Sequence, residues 1–477
     1  MSAASSDILV LGSGPAGSTA ARLLATWGHA VTLVTRPDTA TGAALAVSLT
    51  PSCGKFFDLL GIRREVERAG FVHTSGNTVW WGTSETRIEP FAHGAHGWQA
   101  TSPELDRVMR ATAESAGARV EPSAMTPAEA ATRPAAFRLD CTGRVGLLAR
   151  SRAGRRLEDG HRTVSLSATW RRPDAWPLPD PTHTLIESYA DGWAWSVPLD
   201  ARRRSVAVMV DPQTTTMTRG EGPRTTYLAE LAKTTRLRAL LSEAALEEGP
   251  HGWDASMYSS GTYAGADWLA AGDAASFVDP LSSAGVKKAL ASGWLAAIAV
   301  HTALTRPTMA ETALGFFANR EAAMYASFLS LTRRFLRDAA AGQAHPFWSE
   351  RADAGEREEE TVRHRHEHTA VQAAFDRLRS APDLRVHRNP DLRVEPRPAI
   401  AGNEIVLEPR IVTDAEGAGV RYLHDVDLVS LVELAPDFGQ VPDLYEASVR
   451  RGGPTDMAAF LTALATAVAR GWLVQDS

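Results

Sequence analysis

The sequence predicts an α/β fold. A Rossmann-like nucleotide-binding domain is assembled from separated stretches of chain, an antiparallel-sheet domain lies between them, and a small α+β domain follows. Three observations predict it. A glycine-rich turn, Gly12-Ser13-Gly14-Pro15-Ala16-Gly17, follows an apolar run near the start of the chain. A second segment, Gly272-Asp273 with Asp279-Pro280 behind it, arrives 260 residues after Gly12. Between the two, residues 160–215 alternate apolar and polar as strands do.

The run Ile8-Leu9-Val10-Leu11 reads as a buried parallel strand. Gly12 lets the chain turn tightly. Gly14 keeps side chains out of the space a pyrophosphate takes, and Gly17 lets the next helix pack close to the strand. Ser18 to Trp27 continues with helix-compatible spacing, so the helix N-terminus faces the phosphates. A second apolar run, residues 30–34, follows Gly28-His29 and completes a βαβ unit. An acidic residue usually closes this second strand and holds the adenosine ribose. Here Thr35-Arg36 stands at that place and is assigned to the cofactor, with Asp38 the nearest carboxylate.

The chain returns to the nucleotide domain at residues 125–150, where Phe137-Arg138-Leu139-Asp140 reads as a strand entering the turn Cys141-Thr142-Gly143-Arg144. Strand-like runs at 163–170, 184–189 and 205–210 form the antiparallel sheet, and 226–247 and 308–342 are expected to be helical. Gly272 permits close approach to a ribityl chain, and Asp273 accepts hydrogen bonds from its hydroxyls. Asp279-Pro280 bends the chain towards an isoalloxazine. Ser283-Ala284-Gly285 precedes a helix over 286–304, whose N-terminus stabilises negative charge on a reduced ring. Together the two glycine segments point to a flavin, and no second nucleotide motif offers a nicotinamide site.

Residues 349–368 are strongly charged, and 379–400, rich in Pro, Asp and Arg, read as a linker. Residues 403–477 carry short strands, an apolar stretch at 428–434 and a helix at 456–471 with Phe460, Leu461, Leu464 and Val468 on one face. That order is winged-helix-like. The expected domains are 1–160 and 266–350 for the cofactor, 161–265 for the substrate-facing sheet, 351–402 for charged helix and linker, and 403–477 for the small domain.

With 44% hydrophobic and 22% charged residues the composition is ordinary globular, and a net charge of −6 gives no reason to expect nucleic acid. Two cysteines, Cys53 and Cys141, fit a reducing cytoplasm better than a disulfide framework. No basic leader precedes the first strand and no apolar run reaches membrane-spanning length, so neither a signal peptide nor a membrane is expected. His364, His366 and His368 lie in an Arg-Glu-rich run that reads as a solvated helix, and no metal is expected.

The set Gly12-x-Gly14-x-x-Gly17, Asp140-x-Thr142-Gly143-Arg144 and Gly272-Asp273 with Asp279-Pro280 resembles the class A flavin monooxygenase fold, of the glutathione-reductase and p-hydroxybenzoate-hydroxylase type, over roughly residues 5–350. Trp193-Ala194-Trp195-Ser196-Val197-Pro198 is similar to the Trp-x-Trp-x-Ile-Pro element of flavin-dependent tryptophan halogenases. Those enzymes place a lysine ahead of a Gly-x-Thr-x-x-Trp-Gly stretch. Here that stretch is Gly76-Asn77-Thr78-Val79-Trp80-Trp81-Gly82, and Thr74 stands at the lysine's place. Asp191-Gly192-Trp193-Ala194-Trp195-Ser196-Val197-Pro198-Leu199 and Asp279-Pro280-Leu281-Ser282-Ser283-Ala284-Gly285 resemble runs of flavoproteins that oxygenate a protein tryptophan during quinone-cofactor maturation. Gly94-Ala95-His96-Gly97-Trp98 and His345-Pro346-Phe347-Trp348 resemble the same group, which is taken as the closest. The chain departs from the pattern at Ala46-Val47-Ser48, where Gly-Glu-Ser is expected. It departs again near Ser102, where an arginine is expected and Arg107 is assigned to compensate.

The resemblance implies an FAD-dependent monooxygenase that oxidises an indole or similar aromatic, including a tryptophan in a peptide, inside a dry cavity. Trp193, Trp195, Thr74, His96 and Lys55 are the catalytic candidates. Trp80, Trp81 and Trp98 are further cavity walls, and His73 and His93 further acid–base groups. The cofactor set is Gly12, Gly14, Pro15, Ala16, Gly17, Thr35, Arg36, Arg107, Gly272, Asp273, Asp279, Pro280, Ser283, Ala284 and Gly285. A separate flavin reductase or transient nicotinamide docking is the expected electron source. Two alternatives stay open: an aromatic halogenase with a different base, and a non-catalytic flavin-fold protein that binds a peptide.

Overall fold

The computed structural model describes residues 8–37, 44–158, 162–215, 222–352, 357–380, 383–413 and 416–475. The chain divides into two units, residues 1–353 and 354–477.

In the first unit, Ile8–Leu11 sits at the middle of a six-stranded sheet, between Val31–Thr35 and Phe137–Asp140, and pairs parallel with both. Arg119–Pro122 extends one side, and Trp268–Ala270 then Ala264–Gly265 the other. Strands buried on both faces need continuous apolar runs, which is what Ile8 to Leu11 supply. The helix Pro15–Thr26 follows the glycine turn, with proline at its first position, where the missing N–H costs nothing. The helix Gly285–Thr305 crosses it so closely that a Cβ on Gly293 would lie 2.3 Å from the Ala16 carbonyl oxygen.

A seven-stranded sheet packs beside this domain, in the order Ala245–Asp254, Val164–Arg171, Arg203–Val210, Gly192–Pro198, Thr184–Tyr189, Gly76–Trp80 and Arg87–Pro90. Its last two strands come from the first hundred residues, and Gly76–Trp80 pairs parallel with Thr184–Tyr189. The sheet is therefore mixed, and the expected 161–265 block supplies only five of its strands. The helix expected over 226–247 is two short ones, Pro223–Lys233 and Arg236–Leu240. Glu187 restarts the chain between them: its carboxylate accepts from the amides of Thr235, Arg236 and Leu237. From Ala245 the chain is a strand, with Leu246 opposite Trp170. Alternation gives the sheet two cores. Trp80, Leu166, Trp170, Leu185 and Val208 pack under the two short helices, while Val79, Trp81, Trp193, Ala207 and Met209 pack against Leu281, Leu336, Phe347 and Trp348. A small sheet, Ala46–Leu49, Gly97–Thr101 and Val72–Thr74, joins the large sheet's Thr184 end through Gln99.

The second unit corrects the linker expectation. Val386–Arg388 pairs with Leu473–Gln475, and Arg393–Ala401 pairs over nine residues with Glu404–Thr413. Pro396 and Pro398 made this stretch read as irregular, yet it is an edge strand, where a missing N–H is tolerated. Helices Leu428–Leu434, Val441–Gly452 and Met457–Ala469 bury Leu431, Leu444, Phe460 and Leu464 in a core of the unit's own. Among the described residues no helix is long and apolar enough to cross a membrane.

Candidate functional site

Gly12 has φ 97°, and a Cβ there would meet the Cys141 carbonyl oxygen at 2.3 Å. A Cβ on Gly17 would lie 1.8 Å from the Gly12 oxygen. Both positions admit glycine alone, so the turn stays bare of side chains at the start of the helix Pro15–Thr26. At the end of the second strand, buried Thr35 shares a 2.7 Å hydroxyl contact with Ser13, and Arg110 donates to it at 3.4 Å. Arg36 beside it is exposed, and Asp38 lies outside the described residues.

The second glycine segment rests on the first. Gly272 has φ 63°, a Cβ there would come 2.9 Å from Ala16 Cβ, and its amide donates to Ser292 Oγ at 2.7 Å. Lys288, fully buried beneath this loop, donates from Nζ to the carbonyls of Gly272 (2.9 Å) and Ser276 (2.6 Å). Burial pushes the half-buried Asp273 carboxyl up, against the charges of Lys288, Arg144 and Arg155. Burial also raises Asp279 to about 6, against the amide of Leu281 and the charge of Arg351. Ser283 is held at φ 48°, a strained conformation of the kind that concentrates at functional sites. Ala284 is buried and Gly285 opens the helix Gly285–Thr305.

Two loops thus meet around one helix N-terminus, lined where they touch by residues that exclude side chains. That cradle fits the pyrophosphate and ribityl chain of FAD. Sequence reasoning missed three of its members. Asp106 Oδ1 lies 3.8 Å from the place of a Gly14 Cβ, and burial raises this carboxyl to about 7, against Arg110. Arg110 and Lys288 are the others; Arg110 is far in sequence from any glycine motif, and Lys288, three residues after Gly285, acts through carbonyls 12 and 16 residues before it, so no local pattern marks either role. Arg107, assigned to the cofactor, is exposed and faces a groove with Arg22, Glu65 and Arg68. Asp140 serves the turn itself, accepting from the amides and hydroxyl of Thr142, Leu148 and Ala149.

Trp193 and Trp195, two apart on one strand, share the sheet face that carries the cofactor loop's Phe277 and Leu281. Trp81 joins them, edge-on to Trp193 at 6.1 Å and to Trp348 at 5.4 Å. Trp348 is anchored by hydrogen bonds to the carbonyls of Tyr189 and Ala190. Two buried polar atoms near this face have no partner among the described residues: Trp195 Nε1, a donor, and Gln99 Oε1, an acceptor. Gln99 is held from its other end by Thr184 at 2.9 Å, two residues before Ile186, which pairs with Trp195.

The remaining candidates fall elsewhere. Trp80 points to the opposite face, bonds Thr86 and lines a cavity of about 370 Å³ with Leu237 and Leu240. Trp98 packs on Phe57 in the small sheet. Thr74 is buried where the small sheet runs into the large one, its hydroxyl donating to the Gly76 carbonyl at 3.1 Å. Lys55 and His93 are exposed, and His96 stacks on His73 beside Glu67 at the surface. The side chains of His364, His366 and His368 lie outside the described residues.

A family model for an FAD-binding domain matches residues 5–134, and one for tryptophan halogenase matches residues 106–381. The chain is 28% identical over 363 residues to a tryptophan 2-halogenase of Chondromyces crocatus, covering 69% of each. It is 27% identical over 370 residues to the flavin-dependent halogenase armH3 of Armillaria mellea, covering 68% of this chain and 73% of that one. Among solved structures, the flavin-dependent halogenase CmlS superposes with a TM-score of 0.77 at 18% identity, covering 98% of this chain and 96% of the other. The peptidyl tryptophan dihydroxylase QhpG superposes at 0.67 and 23% identity, covering 95% and 100%.

Proposed function

The chain belongs to the tryptophan halogenase family and takes FAD as its cofactor, and from that premise we propose that it transfers oxygen, not halogen, to an electron-rich aromatic ring, an indole. The observation that carries this reading is Thr74. Its hydroxyl is bonded to the Gly76 carbonyl; the resemblance of Gly76-Asn77-Thr78-Val79-Trp80-Trp81-Gly82 to the halogenase stretch assigns it the lysine's position, and a hydroxyl carries no ammonium charge. None of the chain's four lysines replaces it. Lys55 is exposed, Lys233 pairs with Asp191 and Glu230, Lys288 is held by two carbonyls beneath the cofactor loop, and Lys287 is its half-buried neighbour.

Reduced FAD supplies the oxygen chemistry when bound. The chain's own residues do the rest. The glycine turn and the helix Pro15–Thr26 hold the phosphates. Lys288 and the helix Gly285–Thr305 put positive potential under the second loop. Trp81, Trp193 and Trp195 give a dry aromatic wall on which an indole stacks. The Trp195 N–H and the Gln99 carbonyl orient it.

Halogenation is the second reading, favoured by the curated relatives. The test is one reaction run in parallel. Protein, FAD, a flavin reductase with its nicotinamide, and either free tryptophan or a tryptophan peptide are incubated with chloride, with bromide and without halide. A product that gains oxygen in all three supports the proposal. A product that gains halogen and needs the halide refutes it.

A further inference from the structure

The fold brings together three side chains that the chain keeps up to 29 residues apart. Glu67 comes from the helix Arg63–Arg68, His73 from the strand Val72–Thr74, and His96 from the turn before Gly97–Thr101. His73 Nε2 lies 2.9 Å from one Glu67 carboxylate oxygen and His96 Nε2 lies 3.6 Å from the other. The imidazoles stack at 4.3 Å with 19° between their planes. One nitrogen or oxygen from each residue falls within 4.8 Å of the others. Trp98 forms the floor, edge-on to both rings.

We propose that Glu67, His73 and His96 form a surface site for a divalent transition metal, zinc above all, separate from the flavin site. Two imidazoles and a carboxylate are an N₂O donor set that zinc accepts in tetrahedral geometry, with water in the fourth position. Bond lengths of about 2.0–2.2 Å place such donors roughly 3.3–3.5 Å from one another, so donors that now lie within 4.8 Å of one another draw in by at most about 1.5 Å. Both Nε2 atoms are already turned to the Glu67 carboxylate. The site ties the helix Arg63–Arg68 to the small sheet, whose strand Gly97–Thr101 carries Gln99.

The test is calorimetric titration of tag-free, metal-stripped holoenzyme with zinc chloride at neutral pH, with cobalt chloride as a spectroscopic probe. The expected result is one equivalent bound at micromolar affinity or better, visible cobalt bands of a low-coordinate nitrogen–oxygen site, and a raised melting temperature. The double variant His73→Asn/His96→Asn should lose at least tenfold in affinity while binding FAD as before. Zinc binding that is unchanged in the double variant overturns the proposal, as does the absence of heat and of cobalt bands at roughly a hundred micromolar metal, a level at which any site of that affinity fills. If the double variant fails to retain FAD, Glu67→Gln, which keeps the shape and removes the ligand charge, takes its place with the same two outcomes.

Discussion

Glu321 is fully buried on the long helix Ala310–Ala340, and burial raises its carboxyl to about 7, against the charge of Lys288. A carboxyl raised on folding holds its proton in the native state after the unfolded chain has lost it. Native stability therefore falls as pH rises from the ordinary carboxyl value of about 4.3 through about 7, and is flat above. Glu321→Gln removes that loss, so the variant should melt higher than the parent at pH 8 and at the same temperature at pH 4. A variant that melts lower at pH 8 would mean that the charge of Glu321 on Lys288 outweighs its burial. Gln99 invites a second experiment at this scale. Replacing it with leucine removes the unpartnered carbonyl, worth on the order of 1 kcal/mol to a bound N–H. The expected effect is a five- to tenfold rise in KM for tryptophan, with kcat and FAD affinity unchanged. The cofactor glycines were legible in the sequence because only glycine fits at Gly12, Gly17 and Gly272, and the spacing of such residues survives in any order of reading. Gln99, Arg110 and Lys288 were not, since each acts across a fold contact that leaves no local mark.

At the scale of elements, the site depends on how closely two helices cross. Gly293→Ala sets a methyl 2.3 Å from the Ala16 carbonyl, a backbone atom that cannot step aside without moving the phosphate turn. Overpacking of this kind costs about 1–3 kcal/mol, and here the strain falls on the cofactor cradle. The variant should melt lower and lose FAD more readily, read by flavin fluorescence on dilution. Gly315→Ala is its control. It lies exposed on the helix Ala310–Ala340, a Cβ there meets nothing within 4 Å, and the substitution should leave FAD retention unchanged. The parallel strand, the glycine turn and both helices were readable from apolar runs and punctuation. Arg393–Ala401 was not, because its two prolines signal a linker until the partner strand is known. The strands Gly76–Trp80 and Arg87–Pro90 escaped for a different reason: they join a sheet built mostly from residues more than seventy positions later, and periodicity says nothing about partners.

For the molecule as a whole, the division at residue 353 separates two questions that a single assay confounds. Every residue proposed for FAD, the tryptophan wall and the Gln99 carbonyl belongs to the first unit, and the second has its own buried core around Leu431, Leu444, Phe460 and Leu464. A chain ending at Ala352 should therefore fold, bind FAD and show a flavin spectrum like the full-length protein's. If the second unit serves the substrate by holding an extended peptide along a strand edge, the shortened chain should turn over free tryptophan at the parent rate. On a tryptophan peptide it should lose an order of magnitude or more in kcat/KM. Equal losses on both substrates would instead make the second unit a support for the fold, because a peptide-docking role has no means of slowing the free amino acid. Equal retention on both would leave the peptide reading without its most natural docking surface and turn the search for substrates towards small indoles.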